Sequence, residues 1–415
     1  MRYAELATAI RRDEIPNSVT VLKRNRVRCV VRADQSVLKV YLQRPDRSLR
    51  EARAIRRAQN RGLRTAEILD CESGWLALRF APGRDASRQD LVSLLPAIQR
   101  MHQAGVLHRD LHVSNFRVGS GEPVLLDLQK ALFLPWIPSW LRRRELGFLA
   151  YSLGEPLPDE LTAVRGWRDR RAHRHARHRT WRCLAESSEF TRFGGGYRRR
   201  DSDPEQLEAA LAATDSRELV KDGPNGRLFR HRGLVLKQFG SRRLARRAWF
   251  NAHGLEVRRI PVARALAVRD EWLVMVDAGD TLIDWVEASF SAASAEVTAA
   301  LADTLGSLLA ELHNRGIYHA DLKANNLCWG PGRAPQLLDY GSVHFGRRVP
   351  SRRRIKNLAQ LNAALPDEVD HEFRLRALTR YLQIHSTTED QSALCRAVTA
   401  ESLKRAHRWS GAGCT

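Results

Sequence analysis

Two short segments of the chain combine an aspartate, an asparagine and a second aspartate at similar spacing. In each segment the first aspartate follows a histidine by two residues and precedes the asparagine by five, and a later apolar run ends in the second aspartate. The sets are Asp110, Asn115 and Asp127, then Asp321, Asn326 and Asp339. The first aspartate can accept the proton of an acceptor hydroxyl, and the other two residues can hold Mg²⁺ against the phosphates of ATP. The pattern predicts a site for phosphoryl transfer in each half of the chain.

A lysine inside a predicted strand precedes each set. Lys39 lies in an apolar, β-branched run at residues 36–42, and Lys237 lies in a similar run at 233–239. A lysine in this setting is either a solvated group on an edge strand or a phosphate-binding group. Because phosphoryl transfer requires the nucleotide phosphates to be neutralised, the downstream sets favour the second interpretation.

A glutamate that can orient the lysine is present in the first half. Residues 48–62 predict a helix that ends at a glycine, and Glu51 lies in the first half of this helix. We expect Glu51 to pair with Lys39 and hold it toward the phosphates, although an acidic residue near a helix N-terminus is also favourable by itself. The corresponding predicted helix at 241–255 offers two arginines and Ala248 at this place. The second half therefore departs from the pattern at this contact.

The chain has 415 residues and a formal net charge of +22. Such a field attracts polyanions, which include nucleic acid, anionic lipid headgroups and phosphorylated sugars. No nucleic-acid reader motif accompanies the basic residues, so we expect no nucleic-acid partner. Hydrophobic residues make up 43% of the chain, which is enough for ordinary cores and argues against wholesale disorder.

The cysteines and the apolar runs indicate a cytoplasmic protein. The six cysteines are scattered and form no Cys-x-x-Cys pair, so we expect neither a disulfide framework nor a thiolate metal site. No apolar run reaches the length of about 18 residues that a spanning helix needs. The first residues lack the apolar core of a signal peptide.

The order of the motifs resembles that of protein-kinase-like enzymes, and in detail that of the kinases that phosphorylate Kdo and heptose sugars of the lipopolysaccharide inner core. Residues 23–26, where a glycine-rich loop would lie, contain no glycine, and Asp127 is followed by Leu-Gln-Lys and not by Phe-Gly. An arginine-rich run leads into a leucine-containing helix at 142–146 and again at 352–358. The resemblance covers both halves of the chain.

This resemblance implies an enzyme that transfers phosphate from ATP, with Mg²⁺, to a sugar hydroxyl of an anionic, lipid-linked core oligosaccharide. It implies work at the cytoplasmic face of the inner membrane of a Gram-negative bacterium. The implied roles are catalysis for Asp110 and Asp321, nucleotide binding for Lys39, Glu51 and Lys237, and metal binding for Asn115, Asp127, Asn326 and Asp339. Whether one half or both are active stays open, as does the oligomeric state.

The length and the repeat predict the domain organisation, and the resemblance implies the fold class of each domain. A repeat of about 200 residues indicates a domain duplication and not a solenoid. We predict an α+β fold with two tandem kinase-like domains, at 1–200 and 201–415, each with a small β-rich lobe and a helical lobe. Residues 185–215, with three consecutive glycines, predict a junction. Residues 223–226 predict a turn between the first two strands of the second domain.

Two other functions and one surface segment complete the predictions. A protein serine/threonine kinase would account for the catalytic set, but no activation segment with an Ala-Pro-Glu end is present. A scaffold in which one or both domains are pseudokinases would account for the missing glutamate of the second half.

Residues 132–144 mix tryptophan, proline and arginine. This composition suits docking at a membrane interface or to a phosphorylated glycolipid, and it equally suits a buried tryptophan segment with a solvated basic end.

Overall fold

The computed structural model describes residues 2–154, 156–223, 226–385 and 390–409. The chain divides into two compact units, Met1–Ala172 (unit 1) and His173–Thr415 (unit 2). In each unit an antiparallel β-sheet precedes a largely helical region. This arrangement confirms the predicted α+β class with a β-rich lobe and a helical lobe in each half.

The sheet of unit 1 has five antiparallel strands in the order β1-β2-β3-β5-β4. These strands are β1 (Thr20–Arg24), β2 (Arg28–Ala33), β3 (Ser36–Tyr41), β4 (Ile68–Glu72) and β5 (Trp75–Arg79). Strand β3 lies in the middle, where Lys39 is opposite Val30 on one side and Leu76 on the other. A central strand of apolar and β-branched residues is held by two neighbours, so it gives a lysine a fixed position.

The other elements of unit 1 surround the site loops. The helices are α1 (Tyr3–Arg11), α2 (Asp46–Gln59), α3 (Leu91–Gln103), α4 (Ser139–Leu153) and α5 (Arg165–Thr180), the last of which continues past residue 172. The short strands are β6 (Arg84–Asp85), β7 (Val106–Leu107), β8 (Phe116–Gly119), β9 (Gly121–Leu125) and β10 (Leu132–Phe133). Helix α2 buries Ala52, Ile55 and Ala58 at helical spacing. The same face of the helix therefore carries Glu51 inward.

Unit 1 has two apolar clusters. One joins α1 to the sheet through Leu6, Ile10, Leu38 and Trp75. The other joins α2 to the helical region and includes Met101 of α3, the helix that precedes the segment with Asp110. This second cluster also contains Leu111, Leu125 and Leu128, so apolar packing fixes the backbone around Asp110 and Asp127.

The sheet of unit 2 has seven antiparallel strands in the order β11-β12-β16-β17-β15-β14-β13. They are β11 (Phe190–Phe193), β12 (Gly196–Arg199), β13 (Glu218–Lys221), β14 (Arg227–His231), β15 (Leu234–Gln238), β16 (Ala265–Arg269) and β17 (Trp272–Val276). Strand β15 carries Lys237 in the position that β3 gives to Lys39. Five of the seven strands, from β13 to β16, repeat the strand order of unit 1.

The helices of unit 2 are α6 (Pro204–Ala212), α7 (Arg242–Val257), α8 (Leu282–Ser289), α9 (Ala295–Asn314), α10 (Ser351–Ala364), α11 (His371–Ile384) and α12 (Gln391–Leu403). The short strands are β18 (Ile317–His319), β19 (Leu327–Cys328), β20 (Gln336–Leu337) and β21 (Val343–Phe345). Part of the turn predicted at 223–226 and the last residues of the tail lie outside the described residues.

The division between the units lies earlier than the predicted boundary at residue 200. The glycines of the predicted junction form the tip of the hairpin β11–β12, whose second strand pairs with β16 of unit 2. At Gly196 a Cβ atom would collide with the carbonyl oxygen of Val268, so close strand pairing requires glycine there. The composition typical of a linker serves a tight hairpin in this chain.

In the part of the chain that the structure describes, no helix is both long enough and apolar enough to cross a membrane.

Candidate active site

The lysine of unit 1 is held by the helix glutamate, as the sequence predicts. The Nζ of Lys39 lies 2.5 Å from Oε1 of Glu51 and 3.7 Å from Oδ1 of Asp127. The hydroxyl of Tyr41 donates to Oε2 of Glu51. Burial opposes the charge of Lys39, but the charges of Glu51 and Asp127 outweigh burial and raise its pKa. The ammonium group is therefore charged and fixed.

The second aspartate of unit 1, Asp127, forms an ion pair with an arginine that the sequence did not indicate. Arg28 of β2 donates from Nη1 to Oδ1 of Asp127 at 3.2 Å and from Nη2 to Oδ2 at 2.9 Å. Burial opposes ionisation of Asp127, yet Lys39 and Arg28 together hold its pKa well below the usual value. Asp127 also takes a left-handed backbone conformation, with φ of +58°.

Residues 108–115 form the predicted catalytic loop of unit 1, and its Asp110 lies between two cations. Lys130 donates to Oδ2 of Asp110 at 2.7 Å, and Arg171 lies 3.9 Å from Oδ1. The side-chain amide of Asn115 donates to the carbonyl oxygen of Asp110 at 2.9 Å, which closes the loop. His108 contacts the carbonyl oxygen of Leu126 through Nε2 at 2.9 Å and ties the loop to the segment that contains Asp127.

A buried glutamate accepts a hydrogen bond from the backbone of this loop. Glu145 of α4 accepts from the backbone amide of Arg109 and lies 3.0 Å from Nε2 of His102. Arg109 has a φ of +64°, a conformation that costs energy for a residue with a side chain and needs support from neighbours. Glu145 gives that support. The arginine-rich run into a leucine-containing helix signals α4, but it does not single out Glu145.

Unit 2 joins its site residues through one histidine. Lys237 donates to Oδ1 of Asp339 at 3.1 Å. The backbone amide of Asp321 donates to Nδ1 of His319 at 3.3 Å, and Nε2 of His319 lies 2.6 Å from the carbonyl oxygen of Asp339. Burial lowers the pKa of His319, so the ring is neutral and its Nε2–H donates. The amide of Asn326 donates to the carbonyl oxygen of Asp321 at 2.8 Å.

Among the described residues, each site aspartate of unit 2 has one cationic partner, whereas each site aspartate of unit 1 has two. Lys323 lies 2.8 Å from Oδ1 of Asp321. The backbone amide of Gly341 donates to Oδ1 of Asp339 at 3.1 Å. Burial opposes ionisation of Asp339, but Lys237 and this amide lower its pKa.

The glutamate of unit 1 is replaced by alanine in unit 2. The isolated bridges Thr65–Leu125 and Val262–Leu337 give the two units a common register. Ala248 stands at the same distance along the chain from its bridge as Glu51 does from its own. Phe239 stands in the place of Tyr41, and Lys237 lies 5.0 Å from its ring centroid. Unit 2 therefore keeps the lysine but lacks both the glutamate and the tyrosine hydroxyl at the matching positions.

Asn357 of α10 anchors the loop of unit 2 as Glu145 anchors that of unit 1. Its Oδ1 accepts from the backbone amide of His319 at 3.4 Å and lies 3.3 Å from Nε2 of His313, while its Nδ2 donates to the carbonyl oxygen of His319. Burial lowers the pKa of His313 to about 3. Sequence reasoning missed Glu145 and Asn357, although each follows an arginine-rich run at a similar point.

The two units differ in how well they fit Mg²⁺. In unit 2, Oδ2 of Asp339 has no protein donor among the described residues, and Asn326 uses its amide nitrogen internally, which leaves its oxygen for a cation. Carboxylate and amide oxygens are the ligands that Mg²⁺ takes. In unit 1, both oxygens of Asp127 already face Arg28. The residues of unit 2 fit the metal, and those of unit 1 do not.

The sequence comparisons match little of the chain. No family model matches it. A probable bifunctional tRNA threonylcarbamoyladenosine biosynthesis protein of Methanothermobacter thermautotrophicus is 36% identical over 91 residues, which are 20% of this chain and 17% of that protein. The chain thus spans less than a fifth of the length of this curated relative, and the match assigns no family.

Two solved structures are similar in part. A choline/ethanolamine kinase family protein from Mesorhizobium loti has 16% identity and a TM-score of 0.31, covering 42% of this chain and 80% of that chain. The bifunctional kinase-methyltransferase WbdD has 16% identity and a TM-score of 0.30, covering 52% of this chain and 54% of that chain. Both TM-scores are below 0.5, so neither similarity assigns a fold or a function to this chain. The antiparallel sheet, the strand lysine and the two-aspartate loops give both units a protein-kinase-like arrangement by themselves.

Proposed function

We propose that this chain is an ATP-dependent kinase whose acceptor is a sugar hydroxyl of the lipopolysaccharide inner core, Kdo or heptose. The observation that supports phosphotransferase activity is the network of hydrogen bonds among the site residues of unit 2. His319 links the backbone of Asp321 to that of Asp339, and Asp339 in turn binds Lys237. These contacts support the proposed roles of Asp321 in acceptor binding, Asp339 in metal binding and Lys237 in phosphate binding.

In this proposal each residue has one task. Asp321 accepts a hydrogen bond from the acceptor hydroxyl, orients it in line with the γ-phosphate and takes its proton. Lys237 neutralises nucleotide phosphate charge. Asn326 and Asp339 would hold Mg²⁺, which would offset the negative charge of the nucleotide phosphates. Lys323 stabilises the charge that develops on the transferred group.

The choice of acceptor is supported by charge and by an exposed segment. A net charge of +22 favours an acceptor rich in phosphate and carboxylate. In unit 1, Trp136 and Trp140 have exposed fractions of 67% and 53%, and Arg142 and Arg143 next to them are exposed. Exposed tryptophans beside arginines suit the interface of an anionic membrane. We propose that the protein works at the cytoplasmic face of the inner membrane of a Gram-negative bacterium.

The test is transfer of labelled γ-phosphate from ATP with Mg²⁺ to deacylated core oligosaccharide. We expect labelling by the wild-type protein and its loss in Asp321→Asn. Peptide and protein acceptors are assayed in parallel at equal hydroxyl concentration. If the oligosaccharide stays unlabelled while another acceptor is labelled, the sugar acceptor is wrong and the phosphotransferase stands.

A second candidate is a protein serine/threonine kinase. The observation that favours it is the loop of unit 2, in which Lys323 follows Asp321 by two residues and pairs with it at 2.8 Å. Asp339 is also followed by Tyr340 and Gly341, a form close to that of general protein kinases. Labelling of peptides that competes with the oligosaccharide would favour this candidate.

A further inference from the structure

Arg28 is built into the sheet of unit 1 and is not a loose surface side chain. The side chain of Asn25 accepts from the backbone amides of Val27 and Arg28, each at 2.9 Å, and so fixes the turn that leads into β2. Arg28 then pairs with Tyr41 across β2 and β3. Its side chain is only 13% exposed, and the carboxylate that it binds is 21% exposed. The two-point contact with Asp127 is therefore preorganised.

The same register position in unit 2 holds no side chain at all. Val30 is opposite Lys39 in unit 1, and Leu228 is opposite Lys237 in unit 2. The residue two places earlier is Arg28 in the first case and Gly226 in the second. Gly226 has a φ of +110°, and a Cβ atom there would collide with the carbonyl oxygen of Gln238. At this register position, unit 2 therefore lacks the cation that Arg28 supplies in unit 1.

The charges of the unit 1 site balance without a metal. Two cations, Arg28 and Lys39, face two carboxylates, Glu51 and Asp127. Burial opposes the charge of Arg28, but its hydrogen bonds and its attraction to Asp127 outweigh burial and raise its pKa. A divalent cation at Asp127 would meet two fixed positive charges and would have to displace the guanidinium group. A guanidinium group has five N–H donors, and those of Arg28 that do not face Asp127 can donate to phosphate oxygens without breaking this contact.

We propose that unit 1 is a second nucleotide site, which binds the phosphates of a nucleoside triphosphate without a divalent cation, with Arg28 in the place of the metal. Unit 2 is then the metal-dependent site, and the two units differ in ionic requirement. This inference rests on nucleotide binding by the kinase-like site, and it is independent of the acceptor. A binding assay without acceptor therefore separates its failure from that of the proposed function.

The experiment uses the full chain with the unit 2 site disabled by Lys237→Ala and Asp339→Asn together. Binding of a fluorescent ATP analogue is titrated in Mg²⁺ and in EDTA. We expect dissociation constants that agree within about twofold in the two media, and a rise of about tenfold or more in EDTA when Arg28→Gln is added. Arg28→Lys keeps the charge but loses the two-point geometry and is expected to lie between. Arg50→Gln, which removes an arginine that is 70% exposed on α2, is the matched control and should change nothing.

Three results would overturn the proposal. The first is binding in Mg²⁺ that weakens about tenfold or more in EDTA with Arg28 present. The second is the absence of binding in both media, and the third is an unchanged dissociation constant in Arg28→Gln. Hydrogen exchange of residues 36–41, measured for every variant, shows whether β3 is intact, and Arg28→Lys replaces Arg28→Gln if that strand opens. A reference chain with Lys39→Ala and an intact unit 2 should show binding that requires Mg²⁺.

Discussion

The ammonium group of Lys39 lies 2.5 Å from the carboxylate of Glu51, and both side chains are almost completely buried. A buried ion pair costs desolvation energy, and it is kept only where its geometry and its other hydrogen bonds are good. Tyr41 supplies the second hydrogen bond to Glu51. Unit 2 keeps the lysine and lacks the glutamate and the tyrosine hydroxyl. The two lysines are therefore positioned by different means.

Removal of the glutamate should weaken unit 1 and its nucleotide site. In Glu51→Ala the charge of Lys39 loses its nearest carboxylate inside the protein, which costs about 3 kcal/mol of stability. We expect faster hydrogen exchange in β3 and weaker binding of the ATP analogue in the chain with a disabled unit 2. Glu67→Ala, which removes an exposed ion pair with Arg79, is the control and should leave both unchanged. Unaltered exchange and binding in Glu51→Ala would contradict this assignment.

The two catalytic-loop aspartates should differ in their effect on transfer. We expect Asp321→Asn to lower kcat by a factor of about 10² to 10⁴, because the acceptor hydroxyl loses its proton acceptor. Asp110→Asn should change kcat by less than about threefold if unit 1 binds nucleotide without metal and does not transfer phosphate. Steady-state kinetics with saturating ATP and Mg²⁺ measures both. A large loss in Asp110→Asn would make unit 1 an active kinase as well.

Asn357 should act on the rate through the catalytic loop. Asn357→Ala removes the hydrogen bonds to the backbone of His319, so the loop that carries Asp321 loses its support. We expect kcat to fall about tenfold or more while KM for ATP stays within about twofold. Asn357→Asp places a carboxylate beside His313, as Glu145 lies beside His102, and should restore part of the rate while raising the pKa of His313. Nuclear magnetic resonance titration of that ring separates positioning from a general loss of structure.

The stability of unit 2 should fall in acid because of His313. In the unfolded chain this histidine binds a proton near pH 6.5, whereas in the folded unit its pKa is lowered to about 3 by burial. Between these values the unfolded state holds more protons, so stability decreases as pH falls, by at most about 1.4 kcal/mol per pH unit. Urea unfolding between pH 7 and pH 5 should show a shallower dependence in His313→Gln. His178→Gln, at an exposed position, should keep the wild-type slope.

The exposed tryptophans of unit 1 should contribute to binding of anionic membranes. Trp136→Ala with Trp140→Ala is expected to weaken binding to vesicles that contain anionic lipid by about tenfold, because indole rings insert at the headgroup level. Co-sedimentation with anionic and with neutral vesicles measures the effect. Trp181→Ala removes a tryptophan that is 54% exposed in unit 2 and serves as the control. Equal losses in both variants would show general apolar adhesion and not a membrane-binding segment.

The sequence by itself determined the features that depend on local spacing. A strand lysine, a helix glutamate and a loop with fixed offsets between His, Asp and Asn are short patterns, and each demands one backbone geometry. The α+β class and the Lys39–Glu51 contact were therefore predictable. The predicted domain boundary at residue 200 differs from the division between the two units, because a hairpin tip and a linker can have the same glycine-rich composition.

Only the tertiary structure decided which groups meet across long separations in sequence. Arg28 and Asp127 are 99 residues apart, and Glu145 of α4 accepts from the backbone amide of Arg109, which lies in a loop 36 residues earlier. Nothing in the chain near Arg28 distinguishes it from the other arginines of a very basic protein. Its role is set by sheet register and by a turn at Asn25, which bring its side chain to one carboxylate. Partner choice among many arginines is a property of packing, because Coulomb attraction is strong only where a pair is close and shielded from water.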